Sequence, residues 1–170
     1  KVTAVLANNG EGLAGANYSM AAMSGIHSAH PDWKIIATET ASPSNSRGIY
    51  TTLSQYGKSG DYQCTAYDTN AVSWGNTARE SWWYTIKDDF VSGEFIWTGF
   101  DYIGEPTPWN GTGKGSVSGD KLAVPNSSYF GVIDTAGFEK DSFYFYTSQW
   151  REDKQTLHIV PQSWNKKDIS

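Results

Sequence analysis

Cysteine, basic clusters and long apolar runs are nearly absent from this chain. Cys64 is the one cysteine among 170 residues, which excludes an internal disulfide framework and an all-cysteine zinc site. We interpret it as a small buried apolar residue. The chain has three histidines; His27 and His30 can share a helix face, but no third ligand stands near them. We therefore predict no metal and no cofactor.

The charge balance excludes two further classes of partner. The net charge is −5 and the isoelectric point about 5.1, which argues against nucleic acid, since such proteins carry basic patches. No apolar run approaches the roughly 20 residues of a membrane-spanning helix. A lone cysteine is compatible with a reducing compartment, and we favour the cytoplasm.

Aromatic side chains, in contrast, are abundant. The chain holds 8 Trp, 10 Tyr and 7 Phe, and aromatics make up 15% of it. This composition excludes a disordered chain, because so much apolar surface collapses in water. The length is that of one ordinary domain.

The hydrophobic pattern alternates between strand and helix. It predicts strands at 1–7, 14–18, 33–38 and 94–100, and helices at 20–30, at 76–90 and from Asp141 onward. A short extended segment is predicted at 129–133, and another strand at 156–160 after a charged linker. Strands and helices in alternation favour βα units with a parallel sheet. Long loops follow two of the strands, as on the active-site face of a (β/α)8 barrel.

Two groups of residues at the predicted strand ends suggest chemistry. Glu39 ends an apolar strand, where barrel enzymes place catalytic groups; the alternative is a carboxylate that caps a turn or pairs with Arg47. Trp97 lies near the end of the strand at 94–100, and carboxylates follow the strand, beginning with Asp101. Aromatic rings beside carboxylates suit sugars, whereas Phe95 and Phe100 are predicted to be core residues.

Four longer motifs, in order along nearly the whole chain, carry a family resemblance. They are TETAS at 38–42, SRGIY at 46–50, GEFIWTGFDYIGEPTPW at 93–109 and SSYFGVIDTAGFEKDSFYFY at 127–146. Together they resemble glycoside hydrolase family 2, and in particular its bacterial β-galactosidases.

The resemblance implies an α/β fold. Residues 1–152 would form the C-terminal half of a (β/α)8 TIM barrel, strands 5–8, and residues 153–170 a linker and the first strand of a β-sandwich domain. It also implies a retaining mechanism with two carboxylates about 5–5.5 Å apart. Glu39 matches the nucleophile, Tyr18 the tyrosine that orients it, and Trp97 the floor of the sugar subsite.

The second carboxylate and the remaining sugar contacts are less direct. The family's acid/base is a Glu directly after an Asn, and no such pair occurs in this chain. We interpret Glu11 as a loop carboxylate and expect the acid/base upstream of Lys1. Three further residues are predicted to bind substrate: Ser42, Asp101 and Trp109. Many members of the family have a His at the position of Ser42, and Trp109 is expected on the aglycone side.

The sugar is predicted to be neutral. Glucuronidases of the family carry an Asn-x-Lys motif where this chain has Asn126, Ser127 and Ser128, without the Lys. We therefore expect a terminal β-D-galactoside as the carbohydrate partner, and a possible homo-oligomer of the full-length enzyme. Another family 2 activity on a neutral sugar, a non-catalytic carbohydrate-binding module and a degenerate paralogue remain alternatives.

Overall fold

The computed structural model describes residues 12–50, 62–107, 109 and 126–160. They belong to two compact units, one made of 12–43 and 71–97 and the other of the described residues within 44–70 and 98–160. The predicted strand at 1–7, Glu11, most of the loop at 105–125 and the chain beyond 160 lie outside the described residues. No helix in the described part is long and apolar enough to cross a membrane.

A parallel three-stranded sheet forms the first unit. Its strands are β1 (Leu13–Asn17), β2 (Lys34–Ala41) and β3 (Val91–Trp97), in chain order with β2 in the middle. The predicted α/β class with parallel strands is therefore confirmed. The closed barrel and the β-sandwich remain predictions.

Alternation along β1 and β2 directs small and branched side chains to one buried face. Ala14 and Ala16 of β1 and Ile35 and Ala37 of β2 are fully buried, together with Met20 and Met23. The two methionines come from a short 3-10 turn (Met20–Ala22) and from α1 (Met23–Ala29). Burial of this apolar surface attaches the helical segment to the sheet.

The second helix, α2, runs Ala78–Ile86 and is shorter than the predicted 76–90. Thr77 caps it: its hydroxyl accepts from the Glu80 N–H, and the Glu80 carboxylate accepts from the Thr77 N–H at 3.1 Å. This capping box satisfies two of the free amides of the first turn. On this helix Ile86 is exposed, whereas Thr85 is buried.

Two phenylalanines predicted to be core are exposed, Phe95 at 64% and Phe100 at 63%. On β3, side chains alternate between the faces of the sheet. Glu94 faces α2, where Thr85 reaches its carboxyl group, so Phe95 lies on the opposite face. Phe100 follows the strand and belongs to the second unit.

The second unit is built from irregular segments and one helix, α3 (Asp141–Trp150). The extended segment predicted at 129–133 pairs in parallel with 98–101, through a bridge between Phe100 and Ile133. This helix begins at Asp141, as predicted, with Lys140 as its N-cap. Tyr146 is buried and Trp150 is exposed.

The prediction of a strand at 156–160 is wrong among the residues that the structure describes. These residues have irregular backbone and belong to no ladder among the residues described. A strand needs a hydrogen-bonding neighbour, and the local apolar pattern does not supply one.

Candidate active site

Four of the predicted site residues come together at the carboxyl ends of the three strands. Glu39 is the register partner of Asn17, and its carbonyl accepts from the Tyr18 N–H at 2.8 Å. Ser42 follows β2, and its N–H donates to the Trp97 carbonyl at 3.1 Å. Tyr18, Glu39, Ser42 and Trp97 therefore share one edge of the sheet, as strands that run in parallel require.

The backbone at this edge adopts conformations that L-residues rarely occupy. Tyr18, Ala41 and Ser42 have φ values of 47°, 64° and 65°. Left-handed non-glycine residues cost on the order of 1–3 kcal/mol each and are concentrated at functional sites. The Tyr18 hydroxyl and the Ser42 hydroxyl lie 2.5 Å apart in a hydrogen bond, which links the segments that follow β1 and β2.

Gly75 packs directly against the end of β2. A Cβ atom at this position would lie 2.3 Å from the Ala41 carbonyl oxygen, so no other residue fits without displacing the backbone. The same carbonyl accepts from the Asn76 N–H at 2.7 Å. This close approach helps to hold Ala41 and Ser42 in their left-handed conformation.

The Glu39 side chain is half-buried. Among the described residues no hydrogen bond or ion pair is made to its carboxylate. The alternative interpretation, pairing with Arg47, is not supported, because the Arg47 guanidinium donates to Asp134 at 2.7 Å. A partly accessible carboxylate at a strand end is suited to a nucleophile.

Thr40 and Glu94 are site neighbours that the sequence motifs do not single out. Thr40 follows Glu39, is 0% exposed, and donates its hydroxyl proton to Glu94 Oε2 at 2.9 Å. Burial raises the pKa of Glu94, against hydrogen bonds from Thr40 and Thr85 that lower it. The signal in the sequence is a carboxylate inside strand β3, directly before Phe95 and Ile96.

Tyr18 and Ser42 were predicted to orient the nucleophile and to bind substrate. Ser42 is almost completely buried and its hydroxyl is hydrogen-bonded to Tyr18, so direct contact with a sugar would require movement. Both roles stay predictions. Their mutual contact is a finding that sequence spacing does not reveal.

Asp101 lies in the second unit and its carboxylate is already engaged. It accepts from the Gly131 N–H at 2.7 Å and the Ser128 hydroxyl at 3.3 Å, and it pairs with Lys140 Nζ at 2.6 Å. Lys140 also donates to the Asn45 carbonyl at 2.8 Å. Burial raises the pKa of Asp101 and lowers that of Lys140, against the opposing effect of the pair. These contacts favour a structural role, and sugar binding by Asp101 stays a prediction.

Trp109, predicted to bind substrate on the aglycone side, is a core residue with 4% exposure. Its ring packs edge-on against Tyr62 and Tyr129, with centroids 5.4 and 6.1 Å away. Cys64 belongs to the same cluster, and burial raises the pKa of its thiol to about 12. Neighbouring aromatic rings cover Trp109, and its contact with substrate stays a prediction.

Comparison with known proteins adds an independent line of evidence. No family model matches the chain. The β-galactosidase BoGH2A of Bacteroides ovatus is 39% identical over 162 residues, which are 89% of this chain and 17% of that protein. The resemblance to glycoside hydrolase family 2 is confirmed.

Two further proteins are similar to this chain. A protein of Formosa agariphila, provisionally named a β-glucuronidase, is 37% identical over 99 residues, 57% of this chain and 8% of its own length. The crystal structure of a β-glycosidase from Bacteroides vulgatus matches with a TM-score of 0.60 and 26% identity, over 82% of this chain and 20% of that one. The chain thus spans a fifth or less of each of these proteins.

Proposed function

We propose that this chain carries the nucleophile of a retaining family 2 glycosidase that acts on terminal β-D-galactosides. The observation that carries the proposal is the position of Glu39, at the carboxyl end of the central parallel strand between Tyr18 and Trp97. In (β/α)8 enzymes the carboxyl ends of the strands form the active-site face. In this proposal residues 1–152 form strands 5–8 of such a barrel, and residues 153–170 lead into a β-sandwich.

The reaction has two steps. A carboxylate oxygen of Glu39 attacks the anomeric carbon, the bond to the leaving oxygen breaks, and a carboxylic acid protonates that oxygen. The resulting carboxylate then takes a proton from water, whose oxygen displaces Glu39 from the sugar. We assign this acid/base role to a Glu outside the chain, because no Asn-Glu pair occurs within it.

The neighbours of Glu39 have separate roles in this proposal. The Tyr18 hydroxyl, which is hydrogen-bonded to Ser42 in the structure, would have to turn toward the Glu39 carboxylate to orient it. The Trp97 indole stacks on the apolar face of the sugar ring, because a large aromatic surface excludes water there. Ser42 holds the Tyr18 hydroxyl at 2.5 Å.

Galactose is the sugar that we favour, and glucuronic acid is the second candidate. Similarity to BoGH2A supports the first, and similarity to the Formosa agariphila protein supports the second. The stretch from Asn126 to Ser128 lacks the lysine that would pair with a sugar carboxylate. Turnover of matched chromogenic β-galactoside and β-glucuronide by the complete enzyme, compared as kcat/KM, decides between them.

A carbohydrate-binding module would explain the tryptophans without catalysis. Such modules are usually β-sandwiches, whereas the described residues contain a parallel sheet with packed helices. The fold therefore favours the enzyme over the module.

The experiment that tests the proposal is Glu39→Gln in the complete enzyme. Because the amide cannot attack the anomeric carbon, we expect turnover to fall by several orders of magnitude while the protein stays folded. A 2-fluoro-galactoside should label Glu39 in the unmodified enzyme. Glu152→Gln, an exposed control, should retain activity; labelling of another residue would refute the assignment.

A further inference from the structure

The strand that carries Glu39 is irregular where Glu39 stands. On one side, Ala16 and Asn17 of β1 pair with Ala37 and Glu39 of β2, so β2 has one more residue than β1 over this interval. On the other side, Glu94 and Ile96 of β3 pair with Ala37 and Thr40, so β2 again has one extra residue. This is a β-bulge, which redirects side chains and interrupts the hydrogen-bond ladder.

An interrupted ladder fixes the backbone less firmly, so other contacts must hold the bulge. On the β1 side, the Tyr18 N–H donates to the Glu39 carbonyl. On the β3 side, Glu94 starts opposite Ala37, before the bulge, and its carboxyl group reaches Thr40, after the bulge. A single side chain therefore connects the two ends of the irregular stretch.

The partners of this connection are well defined. Thr40 is 0% exposed, and its hydroxyl lies 2.9 Å from Glu94 Oε2 and 3.4 Å from the Phe95 carbonyl. Both acceptors belong to β3. Whichever of them accepts the Thr40 hydroxyl proton, the hydrogen bond therefore joins β2 to β3. A buried hydroxyl in this position loses its compensation for desolvation if the acceptors move away.

We propose that Glu94 is a positioning residue that clamps the β2 bulge through Thr40 and thereby fixes the direction of the Glu39 carboxylate. The inference rests on the proposed nucleophilic role of Glu39. Neither Glu94 nor Thr40 touches the sugar. Their contribution is geometric, and displacement of a reacting group by about 1 Å can cost on the order of 100-fold in rate.

Two matched pairs of variants in the complete enzyme test the clamp. Thr40→Val removes the hydroxyl at nearly constant shape, and Thr40→Ser keeps it. Glu94→Met removes the acceptor, and Glu94→Gln keeps a carbonyl oxygen for Thr40. We expect Thr40→Val and Glu94→Met each to lower kcat by about 10- to 100-fold with little change in KM, and Thr40→Ser and Glu94→Gln to stay within about threefold of the unmodified enzyme.

The rate of covalent labelling by a 2-fluoro-galactoside, measured well below each variant's melting temperature, separates positioning from stability. It should fall with kcat in Thr40→Val and Glu94→Met. The double variant Thr40→Val, Glu94→Met should be no slower than the slower single variant. Each substitution already removes the same hydrogen bond between Thr40 and Glu94. Normal labelling by both single variants, or equal losses in Thr40→Ser and Thr40→Val, would overturn the clamp. A wild-type enzyme that is not labelled at Glu39 would instead overturn the proposed function.

Discussion

At the scale of single residues, position along a strand distinguishes two tryptophans better than residue type does. Glu39 and Trp97 lie near the carboxyl ends of β2 and β3, at one edge of the parallel sheet. Trp109 has the same ring as Trp97, yet it is buried in an aromatic cluster. An aromatic ring suits both a sugar and a core, so only its neighbours distinguish the two uses.

Glu94 gives a prediction about pH and stability. Burial raises the pKa of Glu94 above the ordinary value of 4.5, so in this pH range the folded protein holds more protons on Glu94 than the unfolded chain does. The contribution of Glu94 to stability therefore falls as the pH rises from 4.5 through the pKa of the folded state. Glu94→Gln removes this contribution. The melting temperature of Glu94→Gln minus that of the wild type should therefore increase between about pH 4.5 and pH 7. A difference that is constant with pH would contradict the pKa shift.

At the scale of elements, helix and strand types were predictable but their ends were not. At its N-terminus α2 begins after Thr77, which forms a capping box with Glu80. This pattern of a Thr followed three residues later by a Glu can be recognised in the sequence. The C-terminal end of α2 and the start of β3 lie several residues earlier than predicted. These limits depend on pairing of β3 with β2, which is a contact between residues distant in the chain.

A pair of glycine substitutions tests how β2 is held at its carboxyl end. Gly75→Ala would place a Cβ 2.3 Å from the Ala41 carbonyl oxygen, and we expect a loss of about 1–3 kcal/mol in stability and at least about a tenfold loss in kcat. Gly25→Ala is the control, since Gly25 lies in α1 with no atom within 4 Å of its added Cβ. It should be stabilising by roughly 0.5–1 kcal/mol. Thermal unfolding and turnover measure both, and a fully active Gly75→Ala enzyme would show that the close approach is dispensable.

At the scale of the whole molecule, the proposed chemistry requires more than this chain contains. Retaining hydrolysis uses two carboxylates, and the motif of the second is missing from the 170 residues. In the described sheet β1 and β3 are the outer strands, and exposed strand edges pair with other chains. Both considerations concern the isolated chain rather than the complete enzyme.

We therefore expect residues 1–170, expressed alone, to have no β-galactosidase activity and to self-associate. Turnover of a chromogenic β-galactoside and light scattering of the purified chain are the measurements. The matched control is the same chain with Glu39→Gln, which should be indistinguishable. Turnover that disappears with Glu39→Gln would place the acid/base within the chain, with Glu11 as the first candidate.

The sequence by itself determined the α/β class and the order of the three described strands. These features follow from hydrophobic periodicity and from motifs that are contiguous in the chain. Tertiary structure alone decided the bulge at Glu39, the contact between Thr40 and Glu94, the pairing of Tyr18 with Ser42 and the burial of Lys140 against Asp101. Each of these depends on residues far apart in sequence, whose approach is set by the packing of the whole unit rather than by any local pattern.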